Sequence, residues 1–164
     1  QSVHLATRNG QMAALAVLAG YDLTVICRGD SEATTPAHHA AQCGFVHILE
    51  WLYLRGAPLN CLDNFQFSPL HYAVHANRSL VVQLLLRCGV HVDRPDIKGR
   101  TPMHWIALKG NSLLLDAALQ VRPDLVGQAA AWTARDSRGL NPRQLANCCP
   151  DPCLGLQLRA LEIW

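Results

Sequence analysis

Three histidines stand at equal intervals in this 164-residue chain. His38, His71 and His104 are each separated from the next by 33 residues. Imidazoles can ligate metals or move protons near neutral pH, so an evenly spaced set invites a metal or acid–base reading. Spacing argues against it: if each histidine belongs to one layer of stacked helices, neighbours lie about 10 Å apart and cannot share a ligand. His38 and His39 are adjacent, and adjacent positions on a helix face different ways. The run Cys148-Cys149-Pro150-Asp151-Pro152-Cys153 holds three thiols in a short span. Zinc sites usually draw on two separated ligand pairs, and no second pair stands close in sequence. No glycine-rich phosphate loop, nucleophile elbow or metalloprotease helix motif is present. The chain is expected to carry no catalytic residue, cofactor or metal.

The elements around the histidines repeat with them. Thr35-Pro36-Ala37-His38, Ser68-Pro69-Leu70-His71 and Thr101-Pro102-Met103-His104 share one phrase. Val3-His4-Leu5-Ala6 is a fainter copy, and Asn141-Pro142-Arg143-Gln144 a degraded one. An aspartate precedes each phrase by five residues at Asp30, Asp63, Asp96 and Asp136. A glycine two residues before it occurs at Gly99 and Gly139, with Ala33 and Gln66 in its place in the other two. Thr or Ser followed by Pro starts a helix: the hydroxyl can cap an orphan amide, and proline gives up a donor that has no partner there. Gly10, Gly44, Asn77 and Gly110 then fit left-handed helix ends. Phe45–Leu52 and Leu80–Leu86 are apolar second helices, too short to stand alone. They must bury their faces against neighbouring repeats.

A Thr-Pro-Leu-His phrase at this period resembles the ankyrin repeat. The resemblance covers nearly the whole chain. It implies an all-α solenoid of stacked helix-turn-helix units with projecting hairpin loops. It divides the single domain 1–164 into repeats at about 1–29, 30–62, 63–95, 96–135 and 136–164. In that family the repeated histidine is structural and holds the loops between repeats by hydrogen bonds. One irregularity stands out: 40 residues separate His104 from Gln144. The excess between Asp116 and Asp136 reads as a tolerated surface insertion, or as a protrusion offering Trp132 to a partner. Met12–Gly20 reads as a buried first repeat.

Composition narrows the function. Net charge is +2, which makes no large field for nucleic acid or an anionic membrane. No apolar run approaches the ~20 residues of a membrane span. Charged residues are 16%, below the ~25% of ordinary domains, as in a surface covered by partners. Seven scattered cysteines do not suit a secreted disulfide framework, and an intracellular, cytoplasmic protein with reduced thiols is expected. The chain begins at Gln1 rather than Met, as a fragment or processed product would.

By the resemblance, partners are held on hairpin tips and on the inner face of each first helix. Carried onto this sequence, that surface includes Phe65, Phe67, Lys98, Arg100 and Arg138 on the loops, and His75, Leu108 and Lys109 near the ends of the inner helices. Phe65 and Phe67 are expected to form an exposed apolar pair, since alternate residues of a hairpin arm point the same way. The alternative is that one of them tucks back onto the helices because Gln66 has replaced the turn glycine. Trp105 after His104 gives a His-Trp pair similar to one in the ankyrin halves of Asp-His-His-Cys palmitoyltransferases, whose ankyrin tryptophans help hold substrate peptides. The expected function is a non-catalytic interaction module or scaffold subunit binding a protein or peptide, or sitting within a larger assembly. The alternative is the substrate-recruiting or regulatory part of a larger enzyme such as a palmitoyltransferase.

Overall fold

A computed structural model describes residues 2–21, 23–126, 129–147 and 156. Among the described residues every regular element is helical. The inner row consists of α1 (Ser2–Arg8), α3 (Pro36–Cys43), α5 (Pro69–His75), α7 (Pro102–Lys109) and α10 (Pro142–Ala146). Each packs on the next in that order. The outer row contains α2 (Met12–Tyr21), α4 (Val46–Leu54), α6 (Ser79–Arg87) and α8 (Ser112–Val121). In it α4 packs on α6, and α6 on α8. The cysteine cluster at 148, 149 and 153 lies outside the described residues. Cys27, Cys43, Cys61 and Cys88 are free thiols.

Helix starts and stops follow the chemistry expected of them. Thr35, Ser68 and Thr101 are extended residues followed by proline at the first helical position. The left-handed turn after α3, α5 and α7 falls on Gly44, Asn77 and Gly110. At Gly44 two constraints coincide: φ is +89°, and an added Cβ would come within 3.0 Å of the Arg78 side chain. Arg78 reaches back across the repeat boundary, its Nε donating to the Gln42 carbonyl at 3.1 Å.

The core is one continuous seam between the rows. Ala40, Leu49, Ala73, Leu85, Leu114 and Leu115 have no exposed surface. Small residues on the inner helices let those helices approach closely, and the leucines of the outer helices fill the space behind them. Helix α2 is a weaker member than the sequence suggests. Leu15 and Ala19 are buried, but Val17 is 59% exposed, so Met12–Gly20 is only half covered.

The long interval between α7 and α10 is neither a surface insertion nor a protrusion. It forms a short 3-10 turn, Pro123–Val126, and helix α9, Ala129–Thr133. Leu125, Ala131 and Trp132 are all buried in the common core. The Trp132 indole donates to the Leu125 carbonyl at 2.7 Å. An amphipathic indole buried with its N–H satisfied contributes area without a polar penalty. The extra residues therefore extend the core instead of looping over it.

Four stability outcomes follow from this packing and from the loop backbone, each read by urea unfolding followed by circular dichroism. Leu85→Ala costs about 2–5 kcal/mol and Trp132→Ala about 3–5 kcal/mol; a change under 1 kcal/mol at Trp132 would show that the segment is peripheral. Ala33 and Gln66 hold φ of +60° and +62° where Gly99 and Gly139 stand in the other loops. Left-handed backbone is unfavourable for residues with a Cβ, so Ala33→Gly and Gln66→Gly each raise stability by about 1 kcal/mol.

Candidate functional site

The repeated histidines are structural, and their geometry is nearly identical in three repeats. The amides of Thr35, Ser68 and Thr101 each donate to Nδ1 of the histidine three residues on, at 3.1 Å. The cap hydroxyls stand 2.8–2.9 Å from the same nitrogens. Nε2 of His38, His71 and His104 then faces the carbonyls of Phe67, Arg100 and Leu140 at 3.0–3.2 Å. A carbonyl can only accept, so Nε2 carries the hydrogen and Nδ1 is the acceptor. Each accepting carbonyl belongs to the residue just before the next repeat's cap. It also closes its own loop, accepting from the amide of Asp63, Asp96 or Asp136 at 2.9–3.0 Å.

Each loop is built on its aspartate. Asp63 Oδ1 accepts from the amides of Phe65 and Phe67, and Asp96 Oδ1 from those of Lys98 and Arg100. The loops are joined side by side by Asn64 N–H to the Glu32 carbonyl, Ile97 N–H to the Phe65 carbonyl and Ser137 N–H to the Lys98 carbonyl, at 2.8–3.2 Å. The second aspartate oxygen takes a ring donor nine residues on. Tyr72 Oη donates to Asp63 at 2.9 Å, and Trp105 Nε1 to Asp96 at 3.1 Å. His39 lies 3.5 Å from Asp30 in the same arrangement. Burial, chiefly, pushes the Tyr72 hydroxyl up to about 12, so it remains a donor at neutral pH. Sequence reasoning missed this pairing, although a ring donor nine residues after each of the first three aspartates is visible once one looks for it.

These bonds set the concave face. Phe65, Phe67, His71, Tyr72, His75, Trp105 and Gln42 line a cavity of about 230 Å³. Phe65 is 46% exposed. Phe67 is half-buried, so the expected exposed pair is one exposed ring and one tucked ring. The Phe67 ring meets those of His71, Tyr72 and Trp105 edge-on at centroid distances of 5.5–6.2 Å. His75 meets Trp105 at 5.5 Å, and the Arg100 guanidinium carbon lies 5.3 Å from the Trp105 ring centroid. Trp105 thus serves its own loop through the indole N–H and the groove through its ring.

The remaining candidates divide. Lys98 is exposed on its loop and Lys109 half-buried at the end of α7. Leu108 is half-buried and packs against the core. Arg138 is held within its own loop, bonded to Asp136 Oδ2 at 3.2 Å, and so is not a free cation at a tip. No group of three or more His, Cys, Asp or Glu side chains among the described residues could hold a metal ion.

A family profile of ankyrin repeats, itself three copies long, matches residues 3–96 and 44–128. The chain belongs to the ankyrin-repeat family. It is 28% identical over 144 residues to palmitoyltransferase AKR1 of Lachancea kluyveri, covering 85% of this chain and 19% of that protein. It is 32% identical over 137 residues to inversin of Mus musculus, covering 82% of this chain and 12% of inversin. It is 33% identical over 92 residues to transient receptor potential cation channel subfamily A member 1 of Drosophila melanogaster, covering 56% of this chain and 8% of the channel. The chain thus spans less than a fifth of the length of each of these relatives. Their names differ in activity, and what they share with this chain is the repeat, a non-catalytic protein-interaction module. No helix among the described residues is long and apolar enough to cross a membrane.

The histidine bridges make stability depend on pH. Burial holds His38 and His71 at about 4 and lowers His104 as well. Their neutral form is the one that folds, so the stabilisation is complete above the ordinary histidine value of about 6.5 and is lost as pH falls towards 4. His38 and His71 should each cost about 2 kcal/mol between pH 7 and 5, read as a falling urea midpoint. His71→Gln should be less stable at pH 7 and show a shallower slope. A midpoint that does not move between pH 7 and 5 would refute the bridges as drawn.

Proposed function

We propose that this chain is a non-catalytic interaction module holding a protein or peptide partner on its hairpin tips and inner helices. The observation that carries the reading is the ring-lined cavity between Phe65, Phe67, Tyr72 and Trp105. Single exposed apolar residues are ordinary on protein surfaces. A concave cluster of fixed aromatics with an arginine at its edge has instead the composition of binding hot spots. Phe65, Phe67, His75, Trp105 and Arg100 are the proposed anchors, with Lys98, Leu108 and Lys109 around them. Arg138 contributes at most from the rim. The partner is sought inside the cell, either as a free protein or as a neighbour in a larger assembly.

A second reading is favoured by one comparison. The similarity to palmitoyltransferase AKR1 covers 85% of this chain but only 19% of that protein. On this reading the chain is the recruiting or regulatory part of a larger enzyme such as a palmitoyltransferase, where the same groove would present a substrate. The surface used is the same in both readings.

The test is affinity capture with the repeats as bait, followed by titration of the captured partner against surface variants. Phe65→Ser should leave helicity unchanged and weaken binding by about 2 kcal/mol or more. Gln83→Ala and Arg87→Glu, on the outer helix α6, should have no effect. If only the α6 changes weaken the complex, the groove is not the binding surface.

A further inference from the structure

We infer that the groove takes an acidic peptide, which inserts one large apolar side chain between Phe65, Phe67, Tyr72 and Trp105 and sets a carboxylate against Arg100; this rests on the interaction role proposed above. The size of the cavity argues for a single inserted side chain. At about 230 Å³ it falls below the ~300–1,000 Å³ of small-molecule sites. Apart from Phe65 and Gln42, its walls are rings held edge-on to one another, so an apolar group entering it finds largely fixed faces, which lowers the cost of binding.

Charge chooses the flanking residues. Arg100 is the best-placed cation. Its amide donates to Asp96 Oδ1 at 2.9 Å and its carbonyl accepts from Asp96 N and His71 Nε2. Its guanidinium lies against Trp105, and Nε is buried with no hydrogen-bond partner. A guanidinium set beside an indole, on a residue whose backbone is pinned, matches a carboxylate. Lys98 is exposed on the same loop, and Lys109 stands at the end of the next inner helix. Asp63 and Asp96 nearby offer a ligand no free acceptor: they keep their charge, but they are buried and each already accepts two amides and a ring donor. Glu32 is the exposed acid of the neighbouring tip. Burial and Lys109 hold His75 below the ordinary histidine range, so it adds little charge at neutral pH. A cationic ligand is disfavoured because the Trp105 ring already faces Arg100.

The probes are short fluorescein-labelled peptides with a central leucine or tryptophan, flanked by glutamates, serines or lysines, titrated by anisotropy against the 164-residue chain. A labelled oligouridine is titrated alongside, because bases also stack on aromatics beside cations. The glutamate-flanked peptide should bind at least ~10-fold tighter than the lysine-flanked one, and the preference should shrink with salt. Replacing its central residue by serine should cost ~10-fold. Arg100→Glu should abolish the acidic preference and Arg100→Gln reduce it, both with unchanged helicity. Equal or tighter binding of the lysine-flanked peptide, indifference to the central residue, tighter binding of oligouridine, or no binding of any peptide up to about 1 mM would each overturn the inference. The two readings fail differently. Peptides that bind without acidic preference, yet are lost with Phe65→Ser, leave the groove as the interaction surface. Binding lost only with Arg87→Glu removes the groove itself.

Discussion

The bond from a buried neutral imidazole to the carbonyl ahead of the next helix is the constraint on which the rest of this structure depends. It does three things with one side chain. Nδ1 satisfies a cap amide that would otherwise be orphaned at the helix start. Nε2–H reaches across the repeat boundary. The carbonyl it reaches also closes the next loop through the aspartate amide. Helix start, repeat spacing and loop closure are therefore fixed together, and one bridge repeated three times sets the register of four loops. A protonated imidazole cannot accept the cap amide, so the arrangement requires the neutral ring. The ends of the stack show the rule by departing from it. His4 occupies the matching position in α1, but both its ring nitrogens are buried without partners. At the other end Gln144 keeps the cap, accepting from Asn141 N–H at 3.0 Å.

Because the loops are fixed, the rings they carry are fixed. Tyr72 and Trp105 reach back to the aspartates of their own repeats, which stands both rings up on the concave side. Phe67 precedes the Ser68 cap, and its carbonyl is the acceptor of the His38 bridge. Its ring is held between Tyr72 and Trp105 as a result. The groove thus owes its shape to bonds made for stacking. Partner recognition needs only the exposed remainder: the ring faces, Phe65 and the cations beside them.

The stack and its period were legible in the sequence because caps, prolines and histidines act locally and recur in phase. Asn77 could be assigned a left-handed turn for the same reason, since asparagine is the residue that most nearly replaces glycine there. The roles of Trp105, Phe67 and Arg138 were not legible. Each depends on which of several donors or rings wins a shared partner, and that is decided by side-chain direction across two repeats. Trp132 was read as a surface residue because the extra residues around it break the period. The period says nothing about what lies under a break, and there Leu125, Ala131 and Trp132 join the common core. The partner is not legible at all from the repeat, since the landmarks that define it are spent on stacking.

The most direct measurement of the account is nitrogen-detected NMR of the imidazole side chains at pH 7, with titration downward. His38, His71 and His104 should each appear as the neutral form with hydrogen on Nε2 and an unprotonated, hydrogen-bonded Nδ1, and should stay so as the pH passes below the ordinary histidine value of about 6.5. Finding any of the three as the Nδ1–H form, or charged near the ordinary value of about 6.5, would contradict the bridge that the rest of the structure is built on.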